Sequence, residues 1–157
     1  MIAERHYNLG NELFTSFLDP YNQYSCGYFD ETDDLDEAQR RKLELIAGKL
    51  NLSENDHLLY IGCGWGGLAR YDAEHHGCKV TAVNISRQQI DFAQKASEGL
   101  PITYYDRDYR KIDGQFDKIV SVGMLEHVGW KNYRTFMRVV HRSLKNNGIF
   151  LLHTIKQ

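Results

Sequence analysis

The sequence predicts an α/β domain with a doubly wound, mostly parallel sheet, and three observations predict it. Short apolar runs of strand length alternate with longer segments of helical period. A glycine-dense stretch, Gly62-Cys63-Gly64-Trp65-Gly66-Gly67, joins the first of those runs to the helix after it. Capping and turn residues mark most of the junctions. Strands that alternate with helices pair in parallel, and right-handed crossovers place helices on both faces. Ligands of such sheets bind beyond the carboxyl ends of the strands.

The elements follow in order. Residues 1–50 read as an N-terminal helical lid, and residues 51–157 as the sheet-bearing core. Leu9, Leu13, Phe14, Phe17 and Leu18 have helical spacing, and Pro20 ends that run. Tyr21 to Phe29 is aromatic, polar and without period. It is either a loop packing its rings on the domain or a loop that closes over a ligand. Asp34 and Glu37 form a capping box for a helix to about Leu50, with Leu35, Ala38, Leu43, Ile46 and Leu50 on one face.

Leu58 to Ile61 is a buried strand, and the helix after the glycines runs to His76, closed by Gly77. Lys79 to Val83 is the second strand. Ser86 and Gln89 form another capping box, for a helix to about Glu98, which Gly99-Leu100-Pro101 breaks. Ile102 to Tyr105 is the third strand, Asp106 to Gln115 a charged loop, and Phe116 to Val122 the fourth strand. A helix spans about Trp130 to Leu144, with Tyr133, Phe136, Met137, Val140 and Leu144 inward. Asn146-Asn147-Gly148 stops it and turns the chain into a fifth strand, Ile149 to Thr154. The carboxyl ends of these strands carry Gly62–Gly67, Asn84, Asp106–Tyr109, Gly123–His127 and His153–Ile155, which marks the candidate site.

The composition bounds the function. A length of 157 residues, 42% of them apolar and 25% charged, fits one globular domain with a real core. A net charge of -2 gives no argument for nucleic acid as a partner. Cys26, Cys63 and Cys78 carry no paired pattern, and no signal peptide is visible, so a reducing cytoplasm is expected. No apolar run approaches the roughly 18 residues of a membrane span, which leaves a peripheral place at a membrane surface open. No metal site is expected.

Gly62, Gly64 and Gly67 satisfy the dinucleotide fingerprint, but that fingerprint wants an acid at the end of the second strand. Val83-Asn84-Ile85 stands there instead, so Asn84 and Gln89 could hydrogen-bond a ribose without supplying charge. A cationic sulfonium cofactor needs no pyrophosphate cradle. Asp108-Tyr109 would suit its adenine, as an acceptor beside an aromatic ring; Asp108 is equally readable as a solvated loop acid. Glu126-His127 can be a helix-start pair, and His153 a core histidine.

Several segments together resemble the cyclopropane fatty acyl phospholipid synthases and the mycolic acid cyclopropane synthases. They are His6-Tyr7-Asn8-Leu9-Gly10-Asn11-Glu12-Leu13-Phe14, Gln23-Tyr24-Ser25-Cys26-Gly27-Tyr28, Ile61-Gly62-Cys63-Gly64-Trp65-Gly66-Gly67, Gly123-Met124-Leu125-Glu126-His127-Val128-Gly129 and Phe150-Leu151-Leu152-His153-Thr154-Ile155. The resemblance implies a class I, Rossmann-like methyltransferase fold, S-adenosylmethionine as cofactor, and methyl transfer to the cis double bond of phospholipid acyl chains at a membrane surface. It also implies a bicarbonate ion as base, held by Cys26, Glu126, His153 and the backbone at Ile155. The implied cofactor contacts are Tyr24, Ser25, Gly62, Cys63, Gly64, Trp65, Gly66, Gly67, Asn84, Gln89, Tyr109 and Arg110, beside the Asp108 already considered. Tyr60 departs from the family, which normally carries an acid there, and a neutral tyrosine lowers the expected cofactor affinity. The resemblance also implies two further strands and a tyrosine ligand beyond Gln157. The chain therefore reads as a central segment. A non-catalytic fragment, or a small-molecule methyltransferase of the same fold, is the alternative, and a homo-oligomer is an open expectation.

Overall fold

A computed structural model describes residues 10–155. Its sheet has five strands: β1 (His57–Ile61), β2 (Lys79–Asn84), β3 (Ile102–Asp106), β4 (Phe116–Val122) and β5 (Leu144–His153). Their order is β3-β2-β1-β4-β5, and all four pairings are parallel. The helices are α1 (Asn11–Thr15), α2 (Leu35–Leu50), α3 (Gly67–His76), α4 (Arg87–Ala96), α5 (Leu125–Val128) and α6 (Tyr133–Ser143). The order reverses direction at β1, so the carboxyl ends of β1 and β4 flank the crevice where ligands of such sheets bind.

Period-2 alternation along β1 divides the core. Leu58 and Tyr60 face the cluster covered by α2, α3 and α4, which includes Leu43, Leu50, Leu68 and Ile90. Leu59 and Ile61 face the cluster covered by α6, which includes Phe136, Val139 and Val140. Both faces are covered, which is why the strands read as continuous apolar runs.

The caps form, but only half of each capping box does. Asp34 accepts the N–H of Glu37 and Ser86 that of Gln89. The Glu37 carboxylate instead pairs with Arg40 and Arg41, and the Gln89 amide oxygen accepts from Asn84.

Three predicted details are corrected. The N-terminal helix covers only Asn11–Thr15; Leu9 lies outside the described residues. On α6, Tyr133 and Met137 are exposed, and Val139 and Ser143 join Phe136 and Val140 inward, so the buried stripe follows the 136-139-140-143 spacing on the neighbouring side of the helix. Asn146-Asn147-Gly148 is not a turn before β5 but an irregularity inside it. Phe116 and Lys118 of β4 pair with Leu144 and Ile149, so extra residues bulge out. Asn147 takes the left-handed conformation this requires, φ 64°.

Candidate active site

The glycine loop leaves β1 at Gly62 and enters α3 at Gly67. Gly62 has φ 80°, and a Cβ there would meet the side chain of Met124 at 2.7 Å, so glycine lets the ends of β1 and β4 close on each other. A Cβ at Gly67 would collide with the carbonyl of Tyr21. The loop does not offer all its N–H groups to a ligand. Gly62 and Cys63 both donate to the Val83 carbonyl, at 2.9 and 3.1 Å, and Gly66 donates to Cys63. Gly64 is different: a Cβ there would meet nothing within 4 Å, so it borders open space.

The N-terminal segment lies on this loop. Phe14, buried on α1, packs against Tyr24 and Trp65 with ring centroids 5.4 and 4.8 Å away. Trp65 Nε1 donates to Asn11 Oδ1 at 2.9 Å. The indole of Trp65 thus anchors α1, which leaves its backbone for any ligand contact.

At the end of β2, Asn84 donates to Gln89 Oε1 at 2.7 Å and to the Gly64 carbonyl at 3.4 Å. Gln89 is buried and holds Asn84 in place. Beyond β3, both oxygens of Asp108 are engaged by Arg110, through its N–H, Nε and Nη2. The Arg110 hydrogen bonds hold the Asp108 carboxyl below its ordinary range. Asp108 therefore shapes its own turn, and the Tyr109 ring leans on Phe136 at 5.5 Å.

A second group assembles at the ends of β4 and β5. Cys26 Sγ lies 3.6 Å from His153 Nε2. Glu126, on α5, accepts the N–H of Ile155 through Oε1 at 2.7 Å. Glu126 Oε2 and His153 Nδ1 are buried without a partner. Burial first, and the Lys42 cation second, push the His153 imidazole below its ordinary range, against the pull of Glu126. These are the four residues that the family resemblance grouped, brought together from three separate parts of the chain. Unpaired buried polar atoms are costly unless something satisfies them. A small group with both an O–H donor and anionic oxygens fits this donor set, and bicarbonate has both. No group of three His, Cys, Asp or Glu side chains suited to a metal ion occurs among the described residues.

Three residues at the site were missed. Gln39 and Lys42 sit on the buried face of α2, 3% and 5% exposed. Gln39 Nε2 donates to the Ser25 carbonyl at 2.8 Å, and Lys42 Nζ to Ser25 Oγ at 2.8 Å. Buried Asp19 accepts the N–H groups of Tyr21 and Gln23. Together they fix the loop that carries Tyr24, Ser25 and Cys26. Burial pushes Lys42 down to about 8, with Asp19 and Cys26 opposing. The available signal was a lysine within the apolar stripe of Ala38, Leu43 and Ile46.

Tyr60 points into the core, 5% exposed, and burial keeps its phenol protonated far above neutral pH. It supplies no charge beneath the loop.

Comparison with known proteins agrees with this fold. Residues 2–157 match the family model for mycolic acid cyclopropane synthetase. The chain is 52% identical over 155 residues to the cyclopropane-fatty-acyl-phospholipid synthase of Escherichia coli, covering 99% of this chain and 41% of the relative. Among solved structures, the cyclopropane synthase MmaA2 from Mycobacterium tuberculosis superposes with a TM-score of 0.90 at 34% identity, over 95% of this chain and 54% of that one. The mycolic acid cyclopropane synthase CmaA1, complexed with SAH and CTAB, gives 0.89 at 35% identity, over 94% and 54%. The chain thus spans 41% of the curated relative's length and 54% of each solved chain.

Proposed function

We propose a function that proceeds from the family: this chain belongs to the mycolic acid cyclopropane synthetases. Its sheet is the Rossmann-like, class I fold of S-adenosylmethionine-dependent methyltransferases. The proposed reaction is methyl transfer from S-adenosylmethionine to the cis double bond of an unsaturated phospholipid acyl chain, closing a cyclopropane ring. The observation that carries this reading is the convergence of Cys26, Glu126, His153 and the Ile155 N–H beside the glycine loop.

When bound, S-adenosylmethionine would supply an electrophilic methyl group, and bicarbonate a base for the proton lost on ring closure. The chain's own residues position and protect. An isolated alkene has no proton whose removal would activate it, so alignment carries much of the catalysis. The Gly64 backbone, Asn84, and Tyr24 with Ser25 would hold the cofactor. The adenine end would meet the turn of Asp108, Tyr109 and Arg110, with Asp108 available only through lone pairs that Arg110 leaves. Glu126 and His153 would hold the base at their two unpartnered atoms, and Cys26 would border it. Methyl transfer leaves a carbocation that water would trap, so α1 and the aromatic loop to Phe29 would serve as a dry lid. Tyrosine faces favour a nearby cation. Association with the inner membrane face from the cytoplasm, without a span, fits such a substrate; no described helix is long and apolar enough to cross a membrane.

Calorimetry with S-adenosylhomocysteine and NAD tests the cofactor, and tighter NAD binding would sink the reading. Glu126→Gln tests the base. In labelled-methyl transfer to unsaturated phospholipid, turnover should fall about 100-fold or more, as for loss of a positioned acid–base group. Affinity for S-adenosylhomocysteine should change little. An equal loss of both would make Glu126 a cofactor ligand instead.

A further inference from the structure

The charge of this chain is divided along its sequence. The first 126 residues hold thirteen lysines and arginines against all 21 acids; the last 31 hold six and no acid. Much of that basic segment is α6 and the 3-10 turn before it. Lys145 is paired with Asp117, and Arg142 donates to the carbonyls of Arg110 and Ile112. Arg134 and Arg138, one turn apart on α6, are exposed and form no ion pair with any described residue. Lys131 Nζ sits 5.5 Å from the ring of Trp130.

Beside these cations runs an exposed apolar stripe, Trp130 at 75%, Tyr133 at 40% and Met137 at 48%. Tyr133 and Met137 are residues that the sequence assigned to the core. Because β4 and β5 are parallel, α6 runs back against them, and its N-terminal end lies at the carboxyl end of the sheet. The turn carrying Trp130 therefore follows directly on α5, which carries Glu126. Exposed Ile85 and Ile155 follow the carboxyl ends of β2 and β5.

We propose that the face formed by Trp130, Lys131, Tyr133, Arg134, Met137 and Arg138 docks the protein on an anionic phospholipid bilayer. An exposed tryptophan and tyrosine beside uncommitted cations suit the headgroup boundary, where aromatic rings sit at the apolar edge and cations meet lipid phosphate. The acid-free segment is complementary to a negative surface, while the acidic remainder is repelled from it. That orients the carboxyl end of the sheet, with Cys26, Glu126 and His153, toward the acyl chains. The inference rests on the phospholipid reading above for its purpose, but not for its test.

The protein has two tryptophans, and Trp65 is buried at 4% exposure, so Trp130 is the fluorescence reporter of this face. The 157-residue chain is titrated, without cofactor, with vesicles of phosphatidylglycerol mixed with phosphatidylcholine, and with vesicles of phosphatidylcholine alone. On the mixed vesicles Trp130 emission should shift to the blue and be quenched by brominated acyl chains. Arg134→Gln with Arg138→Gln should weaken partitioning about 30-fold, the effect of removing two cations near a negative surface. Circular dichroism would show this exposed double variant folded. Equal binding to pure phosphatidylcholine, full binding by the double variant, or binding without quenching of Trp130 would overturn the proposal. So would tighter binding to double-stranded DNA than to the mixed vesicles. Calorimetry with S-adenosylhomocysteine on the same sample separates the two readings: cofactor binding without vesicle binding defeats docking alone.

Discussion

At the scale of single residues, two buried ionisable groups make opposite demands. Lys42 is held at about 8 by burial, and its charge faces Asp19, Cys26 and His153. Its folded value lies below the unfolded one, so the unfolded chain binds more protons between about 8 and the ordinary lysine value of about 10.4. Stability tied to Lys42 therefore rises with pH through that window, while the charge that fixes Ser25 is lost. Methyl transfer should fall above about pH 8. Lys42→Arg should remove that fall, and Lys42→Met should lower turnover more than S-adenosylhomocysteine affinity; an unchanged pH profile in Lys42→Arg would exclude the role. Asp72 has the reverse sign. Both its oxygens are buried without partners, and burial raises its carboxyl well above the ordinary range. The unfolded chain loses this proton first as pH rises above about 4, so stability falls from there until the folded carboxyl also titrates. Asp72→Asn should flatten that fall in urea melts across pH, and an unchanged slope would show that Asp72 has found a partner. Asp72 was not legible in the sequence, where an aspartate on a helix reads as solvated, and Lys42 left only the trace of a lysine within an apolar stripe. Cys26, Glu126 and His153 were legible because they lie in segments whose order and spacing carry the family's pattern.

At the scale of elements, the strands were legible because both faces are covered, which writes them as apolar runs. The helix starts were legible where a side chain caps them. Asp34 is the clearest, accepting the Glu37 N–H at 2.8 Å. Asp34→Ala should cost about 1 kcal/mol of stability in denaturant melts, the usual worth of a cap; a change indistinguishable from zero would mean that Thr32 or water replaces it. The failures lie where the local pattern admits two readings. Along α6 both possible stripes contain Phe136 and Val140, and only packing against the sheet selects Val139 and Ser143 over Tyr133 and Met137 as their inward neighbours. The pair Asn147-Gly148 carries the usual chemistry of a turn, and only pairing across Asp117 turns it into a bulge. At the site, the glycine loop was legible as a loop, but not that three of its N–H groups are spent on Val83 and Cys63, since that depends on how β2 lies beside it.

At the scale of the whole molecule, the two edges of the sheet differ. Of β3 only Tyr104 is buried, Thr103, Tyr105 and Asp106 are exposed, and Tyr105 lies under the guanidinium of Arg107. Charged and polar cover of this kind blunts an edge against pairing. β5 is the other outer strand among the described residues, and Ile149, Phe150, Leu151 and Leu152 are all only half-buried there. Its Ile149 and Leu151 pack toward one core and its Phe150 and Leu152 toward the other, so an added strand would cover apolar surface on both faces. The 157-residue polypeptide should therefore self-associate through β5. A rival cause exists, because acid and base are segregated along the chain and oppositely charged regions of two copies attract. The two causes respond oppositely to salt. Exposed charges are screened over about 3 Å at 1 M ionic strength, whereas apolar contact is not weakened. Size-exclusion chromatography with light scattering, at low and at 1 M salt, should show oligomers at both, and Leu151→Lys should shift them toward monomer. A monomer at both salt concentrations would refute the self-association, and oligomers that dissolve in salt would assign it to charge.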